Sequence, residues 1–139
     1  MRPVAANAAR QDRRVEAEED IDGETDKQGR EEAVVELCDC VLDLAAAFYG
    51  VSGRELRQTG RSRLEVERVR QIAMYVAHTV LDMSMAEVGR GFGRDRTTVL
   101  HAVHLIEDLR DDAEFDAVLA RTEHIAKTVM RGRKVWSLR

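Results

Sequence analysis

A short run of polar side chains after Gly93 carries an unusual density of hydrogen-bond donors and acceptors. In order, these residues are Arg94, Asp95, Arg96, Thr97, Thr98 and His101. If Val99 and Val103 face a core, helical periodicity turns the two threonines and the histidine outwards near the start of a helix. Arginine can donate to guanine, aspartate can accept from cytosine, and threonine can contact the methyl group of thymine. Because recognition helices contact base edges with their N-terminal residues, the pattern predicts binding to duplex DNA.

The segment just before this run has the signals of a short helix and a tight turn. Ser84 and Glu87 fit a capping box, in which the two side chains satisfy the first backbone N–H groups of a helix. Three glycines then crowd the end of that helix: Gly89, Gly91 and Gly93. A helix that begins after Ser84, a glycine turn and a second helix capped by Asp95 together predict a helix-turn-helix.

Each part of this pattern also has a simpler interpretation. The outward threonines could form a solvated helix face, and the arginines could serve solubility. The glycines could belong to a phosphate-binding loop, but the Lys-Ser/Thr pair of a P-loop is absent and no strand precedes them. Three histidines, His78, His101 and His104, could bind a metal, but no further ligand obviously completes the set. Because no nucleophile is paired with a base, we expect neither an enzyme nor a cofactor.

The rest of the chain has apolar residues at the spacings of three and four that are typical of amphipathic helices. The predicted helices run from Glu31 to Gly50, from Ser52 to Thr59, from Leu64 to Leu81 and from about Asp112 to Met130. Phe48 and Val118 are assigned to their buried faces. The predicted fold is all-α, a compact helical domain that contains a helix-turn-helix and has a disordered N-terminal arm.

The net charge of −4 is distributed unevenly along the chain. Residues 1–36 carry eleven acidic and six basic residues, whereas residues 54–104 carry nine arginines and six acidic residues. Arginine suits phosphates and guanine, because its planar guanidinium donates paired hydrogen bonds. We expect residues 1–30 to form a disordered acidic arm, residues 31–130 the domain and residues 131–139 a basic tail.

Cys38 and Cys40 are the only cysteines, and their C-x-C spacing is not that of zinc or thioredoxin-type sites. On a helix they would lie about 200° apart around the axis, so we expect two ordinary free thiols. No apolar run approaches the roughly 18 residues that span a bilayer, and no signal peptide is recognisable. We therefore expect a cytoplasmic, nucleoid-associated location.

The order of these motifs resembles the C-terminal DNA-binding domain of the bacterial replication initiator DnaA. The segments that carry the resemblance are Arg70–Ala77, Met85–Gly93 and Arg94–Ala102, with Phe48–Val51 and Arg61–Arg63 before them. The resemblance covers about residues 33–126. It implies an all-helical domain that recognises the short sequences called DnaA-boxes.

The resemblance and the pattern together predict which residues contact DNA. They are Arg61, Arg63, Arg70, Gln71, Ser84, Arg94, Asp95, Arg96, Thr97, Thr98 and His101. By the resemblance, Arg61 or Arg63 would enter the minor groove, and the helix start at Ser84 would touch a phosphate. Arg70 and Gln71 would contact the backbone or bases. The outward residues between positions 95 and 101 would face the major groove.

Three features depart from the usual family pattern. Gly93 stands alone where the family has two glycines, and Arg96 replaces a histidine. One residue more separates Arg61 from Arg70, and Val69 replaces a proline. Because the chain also has neither a P-loop nor room for the family's ATPase module, we expect a stand-alone DNA-binding domain.

The function expected from the sequence is specific binding to DnaA-box-like sites in double-stranded DNA, in transcription regulation or in the control of replication initiation. The alternative is a protein-interaction module that binds the initiator or another partner instead of DNA. The observation that favours the alternative is the acidic arm, which would be repelled by a nearby phosphate backbone.

Overall fold

The computed structural model describes the backbone of residues 2–137 and the side chains of residues 26–132. Over this part of the chain the protein is all-helical, as predicted. Its helices are α1 (Arg2–Tyr49), α2 (Gly53–Arg57), α3 (Leu64–Thr79), α4 (Met85–Phe92), α5 (Arg96–Leu109) and α6 (Ala113–Ser137). None of the helices described combines the length and the apolarity that crossing a bilayer requires.

The internal contacts divide the chain into two units, Met1–Ala33 and Val34–Arg139. In the first unit, residues 26–33 are helical and their side chains are all exposed. Residues 26–30 of the predicted disordered arm are therefore helical instead, because extending an existing helix by a turn costs little. The side chains of residues 1–25 lie outside those that the structure describes, so the disorder of that segment stays a prediction.

The core of the second unit is organised around α3, which packs most extensively against α5. Buried residues on α5 are Val99, Ala102, Val103 and Ile106. Their spacing of three and four residues gives one continuous apolar stripe, and full burial of an aliphatic side chain contributes about 1.5–3 kcal/mol. The helix is thereby fixed with its opposite face free for other contacts.

Polar contacts fasten the outer helices. The Arg57 guanidinium on α2 contacts the carboxylates of Asp39 at 3.2 Å and Asp43 at 2.9 Å, both on α1. Beyond α5, the Arg110 guanidinium contacts Asp116 at 2.6 Å and Glu123 at 2.8 Å on α6. These ion pairs connect α2 to α1 and the end of α5 to α6.

Two details of the predicted helices are wrong. Phe48 and Val118 were assigned to buried faces, but they are 37% and 45% exposed. The inward positions beside them are occupied by Tyr49, which is half-buried, and by Thr122, which is buried, and their hydroxyl oxygens lie 2.8 Å apart. The last helix also continues to Ser137, so the backbone of the predicted basic tail is helical as far as that residue.

Cys38 and Cys40 are both thiols outside any disulfide, as predicted. Cys38 is fully buried and its thiol lies 3.7 Å from the sulfur of Met83, whereas Cys40 is half-buried. Burial, with the nearby charges of Asp39 and Glu87, raises the pKa of Cys38 to about 12. Among the residues that the structure describes, no group of His, Cys, Asp or Glu is arranged to hold a metal ion.

Candidate nucleic-acid interface

The first helix of the helix-turn-helix, α4, begins with the predicted capping box. The Ser84 hydroxyl accepts a hydrogen bond from the Glu87 N–H at 3.1 Å, and the Glu87 carboxylate accepts one from the Ser84 N–H at 3.0 Å. Such reciprocal capping satisfies backbone donors that a helix start would otherwise leave open. α4 is therefore well defined although it is only eight residues long.

The three glycines make the turn and the packing of α4 possible. Gly93 ends α4 in the left-handed region, at φ 65°, where glycine has no steric penalty. A Cβ at Gly89 would lie 2.8 Å from the Arg94 carbonyl oxygen, and a Cβ at Gly91 would overlap the Cys38 sulfur. Gly89 and Gly91 thus have packing roles, and the single Gly93 suffices to close the turn into α5.

α5 begins with a group of polar side chains directed to solvent. Asp95 is the N-cap residue, as predicted, but its carboxylate makes no capping hydrogen bond. Exposed residues follow on the first turns: Arg96, Thr97, Thr98 and His101. Within the part of the chain that the structure describes, none of these five side chains is engaged in a hydrogen bond or an ion pair. They form a surface, here called the α5 face, whose donors and acceptors are available to a ligand.

Arg70 does not lie on an exposed surface, although a contact with the DNA backbone or bases is predicted for it. The residue is only 7% exposed. Its Nε donates to the Leu56 carbonyl at 2.8 Å, and its Nη2 lies within 3.3 Å of the Glu55 and Gln58 carbonyls and the Ser62 hydroxyl. Burial, and secondarily the charge of Arg94, lowers the pKa of Arg70. Arg70 therefore clamps the end of α2 and the loop after it.

The same loop is also fastened to the helix-turn-helix. The Arg94 Nη2 donates to the Gln58 carbonyl at 2.7 Å, so this one oxygen accepts from both Arg94 and Arg70. Residues 58–63, here called the arginine loop, are thereby tied directly to Arg94, in the turn between α4 and α5. Arg61 and the α5 face are predicted to contact the same DNA, so the loop and α5 need a fixed position relative to each other.

The remaining predicted residues differ in how accessible they are. Arg61 is exposed on the arginine loop, and Ser84 is exposed at the start of α4. Arg63 is exposed as well, but its guanidinium is paired with the Glu55 carboxylate at 2.8 Å. Gln71 is half-buried on α3. The pairing of Arg63 leaves Arg61 as the better candidate for entering a groove.

Comparison with known proteins agrees with this geometry. Residues 38–106 match the model of the bacterial DnaA protein helix-turn-helix. These residues belong to the DnaA helix-turn-helix family. The DnaA initiator of Deinococcus radiodurans is 38% identical over 105 residues, and that of Agrobacterium fabrum is 52% identical over 67 residues. These matches cover 75% and 48% of this chain but only 21% and 14% of the initiators.

The fold is also that of solved structures of replication initiators. A crystal structure of a DNA replication initiation factor aligns with a TM-score of 0.64 and 25% identity, over 74% of this chain and 31% of that one. The DnaA-type domain thus accounts for most of the described helices, and the homology supports DNA binding. The chain spans about a fifth or less of the length of the curated initiators it matches.

Three exposed residues of the DnaA-type region were assigned no DNA contact from the sequence. Leu100 is 38% exposed beside the polar residues of α5, and His104 is exposed one turn after His101. Because Val99 and Leu100 are adjacent on a helix, only one of them can point to the core. This spacing is the sequence signal that could have predicted the exposure of Leu100. Arg54, exposed on α2, had no signal in the local sequence.

Proposed function

We propose that this protein binds double-stranded DNA sequence-specifically at DnaA-box-like sites and acts in transcription regulation or in the control of replication initiation. It would act by binding rather than by catalysis. The observation that carries the proposal is the α5 face, where unengaged polar side chains lie at the start of the second helix of a helix-turn-helix. A major groove admits such a helix and presents complementary donors and acceptors.

The proposed contacts divide into two classes. Asp95, Thr97, Thr98 and His101 would contact base edges, because they are exposed at the start of α5 and have free hydrogen-bonding groups. Arg61 would contact phosphate or the minor groove, because it is exposed, pairs with none of the described residues and lies on a loop that Arg94 ties to the turn before α5. Base contacts determine sequence preference, whereas phosphate contacts add affinity for any duplex.

Arg96 is the residue most apt to give this protein its own target sequence. It stands where the family pattern has a histidine, and it is exposed in the first turn of α5. Its longer side chain and permanent charge suit a bidentate contact with guanine or a contact with a phosphate. The proposed site is therefore related to a DnaA-box but differs from it at one base step.

The proposal is tested by fluorescence anisotropy with labelled duplexes at about 150 mM salt, one containing a DnaA-box and one a scrambled sequence. We expect tighter binding to the box. Thr98→Ala should reduce that preference by about 1–3 kcal/mol, the usual cost of one mismatched contact. Thr128→Ala is the matched control, because Thr128 is exposed on α6 and its hydroxyl donates only within its own helix. Equal, weak and salt-sensitive binding to both duplexes would contradict the proposal.

Deleting residues 1–30 examines the role of the acidic arm. If the arm competes with DNA for the arginines, the truncated protein should bind both duplexes more tightly. If affinity is unchanged and the full chain prefers neither duplex, that result would favour the alternative, a module for a protein partner.

A further inference from the structure

An open pocket lies between α2 and the arginine loop, in a part of the domain to which the proposed base contacts give no role. It has a volume of about 410 Å³. The residues that line it are Ser52, Arg54, Glu55, Gln58, Arg61, Ser62 and Arg63. Three arginines and one glutamate therefore line the same open pocket.

The charges in this pocket are only partly neutralised. The Glu55 carboxylate is engaged by Arg63 at 2.8 Å. Arg54 and Arg61 are exposed, and within the described residues neither side chain makes a hydrogen bond or an ion pair with the protein. Two guanidinium groups with unengaged donors thus line one pocket, and such groups suit the oxygens of a phosphate.

A hydroxyl group adds a further donor. The Ser62 oxygen accepts a hydrogen bond from the Arg70 Nη2 at 3.2 Å, so its own O–H remains free to donate. The surrounding backbone is held in place, because Arg70 and Arg94 both bind the Gln58 carbonyl. Little order is lost when a ligand enters a pocket whose walls are already fixed.

We propose that this pocket is a phosphate subsite, in which Arg54 and Arg61 bind one backbone phosphate of the DNA. The phosphate would flank the base pairs that the α5 face contacts, and Ser62 would donate the additional hydrogen bond. This inference rests on the proposed function, since it requires a duplex bound through α5. Arg63 contributes charge to the subsite but remains paired with Glu55.

The salt dependence of DNA binding tests this subsite, with the full chain and the variants Arg54→Ala, Arg54→Lys and Arg121→Ala. A lost phosphate contact lowers the slope of log affinity against log salt by about 0.9. For Arg54→Ala we expect a decrease of up to that size, because Arg61 remains at the phosphate, with a loss of affinity of about 3–10-fold that is equal for the box and the scrambled duplex. Arg54→Lys should keep the slope, and Arg121→Ala, which removes an exposed charge on α6, should resemble the wild type.

A methylphosphonate scan of the duplex then identifies the ligand. We expect one position at which the neutral group weakens the wild type more than it weakens Arg54→Ala, in which Arg61 alone remains at that phosphate. A response to inorganic phosphate at constant ionic strength, with no such position, would mean a site for a free anion and would overturn the inference. An unchanged slope for Arg54→Ala would overturn it too.

The outcomes separate the subsite from the proposed function. If the wild type prefers the box but Arg54→Ala keeps the full slope, the subsite is wrong and sequence-specific binding stands. If the slope falls but no duplex is preferred, the phosphate contact stands and the proposed sequence specificity is wrong.

Discussion

Replacing Arg70 by alanine should destabilise the domain, whereas the same replacement of a surface arginine should not. Hydrogen bonds from a charged donor contribute about 1.5–3 kcal/mol each. Arg70 makes a short one to Leu56 at 2.8 Å and shares its Nη2 among three oxygens at 3.2–3.3 Å. Because these acceptors lie near the surface and can be rehydrated, we expect a loss of about 2–4 kcal/mol in the free energy of unfolding. DNA affinity should also fall, since the arginine loop loses its clamp.

The assay is urea denaturation followed by circular dichroism, in parallel with anisotropy on the box duplex. Arg61→Ala is the matched variant, because Arg61 is exposed and should change stability by less than about 0.5 kcal/mol while it weakens DNA binding. Arg70→Lys should recover little, because an ammonium cannot reproduce the planar set of donors. The reasoning would be refuted if Arg70→Ala kept the stability of the wild type and lost only the salt slope.

Three further predictions concern the frame that holds the α5 face. Gly89→Ala should lose about 1–3 kcal/mol of stability by urea denaturation, because its Cβ would meet a backbone carbonyl, whereas Gly132→Ala, with open space around it, should lose none. Ser84→Ala should cost about 1 kcal/mol through the lost cap, and an unchanged midpoint would contradict that role. Cys38 should resist a thiol reagent in the native state while Cys40 reacts. The neutral thiol of Cys38 should contribute stability that is complete below pH 9.0 and is lost between pH 9.0 and about 12, and Cys38→Ala should not show this loss.

The helix-turn-helix could be predicted from the sequence because its signals are local. Ser84 and Glu87 form the capping box that their spacing indicates, and Asp95 is the N-cap of α5. The spacing of Val99 and Val103 was enough to assign the buried stripe of α5, and hence the exposed polar face opposite it. Elements defined by neighbouring residues need no knowledge of the tertiary structure.

The interior position of Arg70 could not be predicted, because it depends on contacts between residues far apart in sequence. An arginine on a helix has the same spacing whether it points to solvent or reaches a carbonyl fourteen residues earlier, as Arg70 does. The packing role of Gly91 is similar, since only the folded chain brings Cys38 against it. The pocket beside Arg54 likewise forms only when α2 and the arginine loop meet.

The central claim, sequence recognition by the α5 face, is tested most directly by selecting preferred sequences from a random duplex pool. The selection is done once with the wild type and once with Arg96→His. If the α5 face contacts base edges, the wild type should enrich one motif related to a DnaA-box. Arg96→His should shift that preference at a single base step and leave the other positions unchanged. The absence of any enriched motif for either protein, at a salt concentration where both still bind DNA, would contradict sequence recognition by this face.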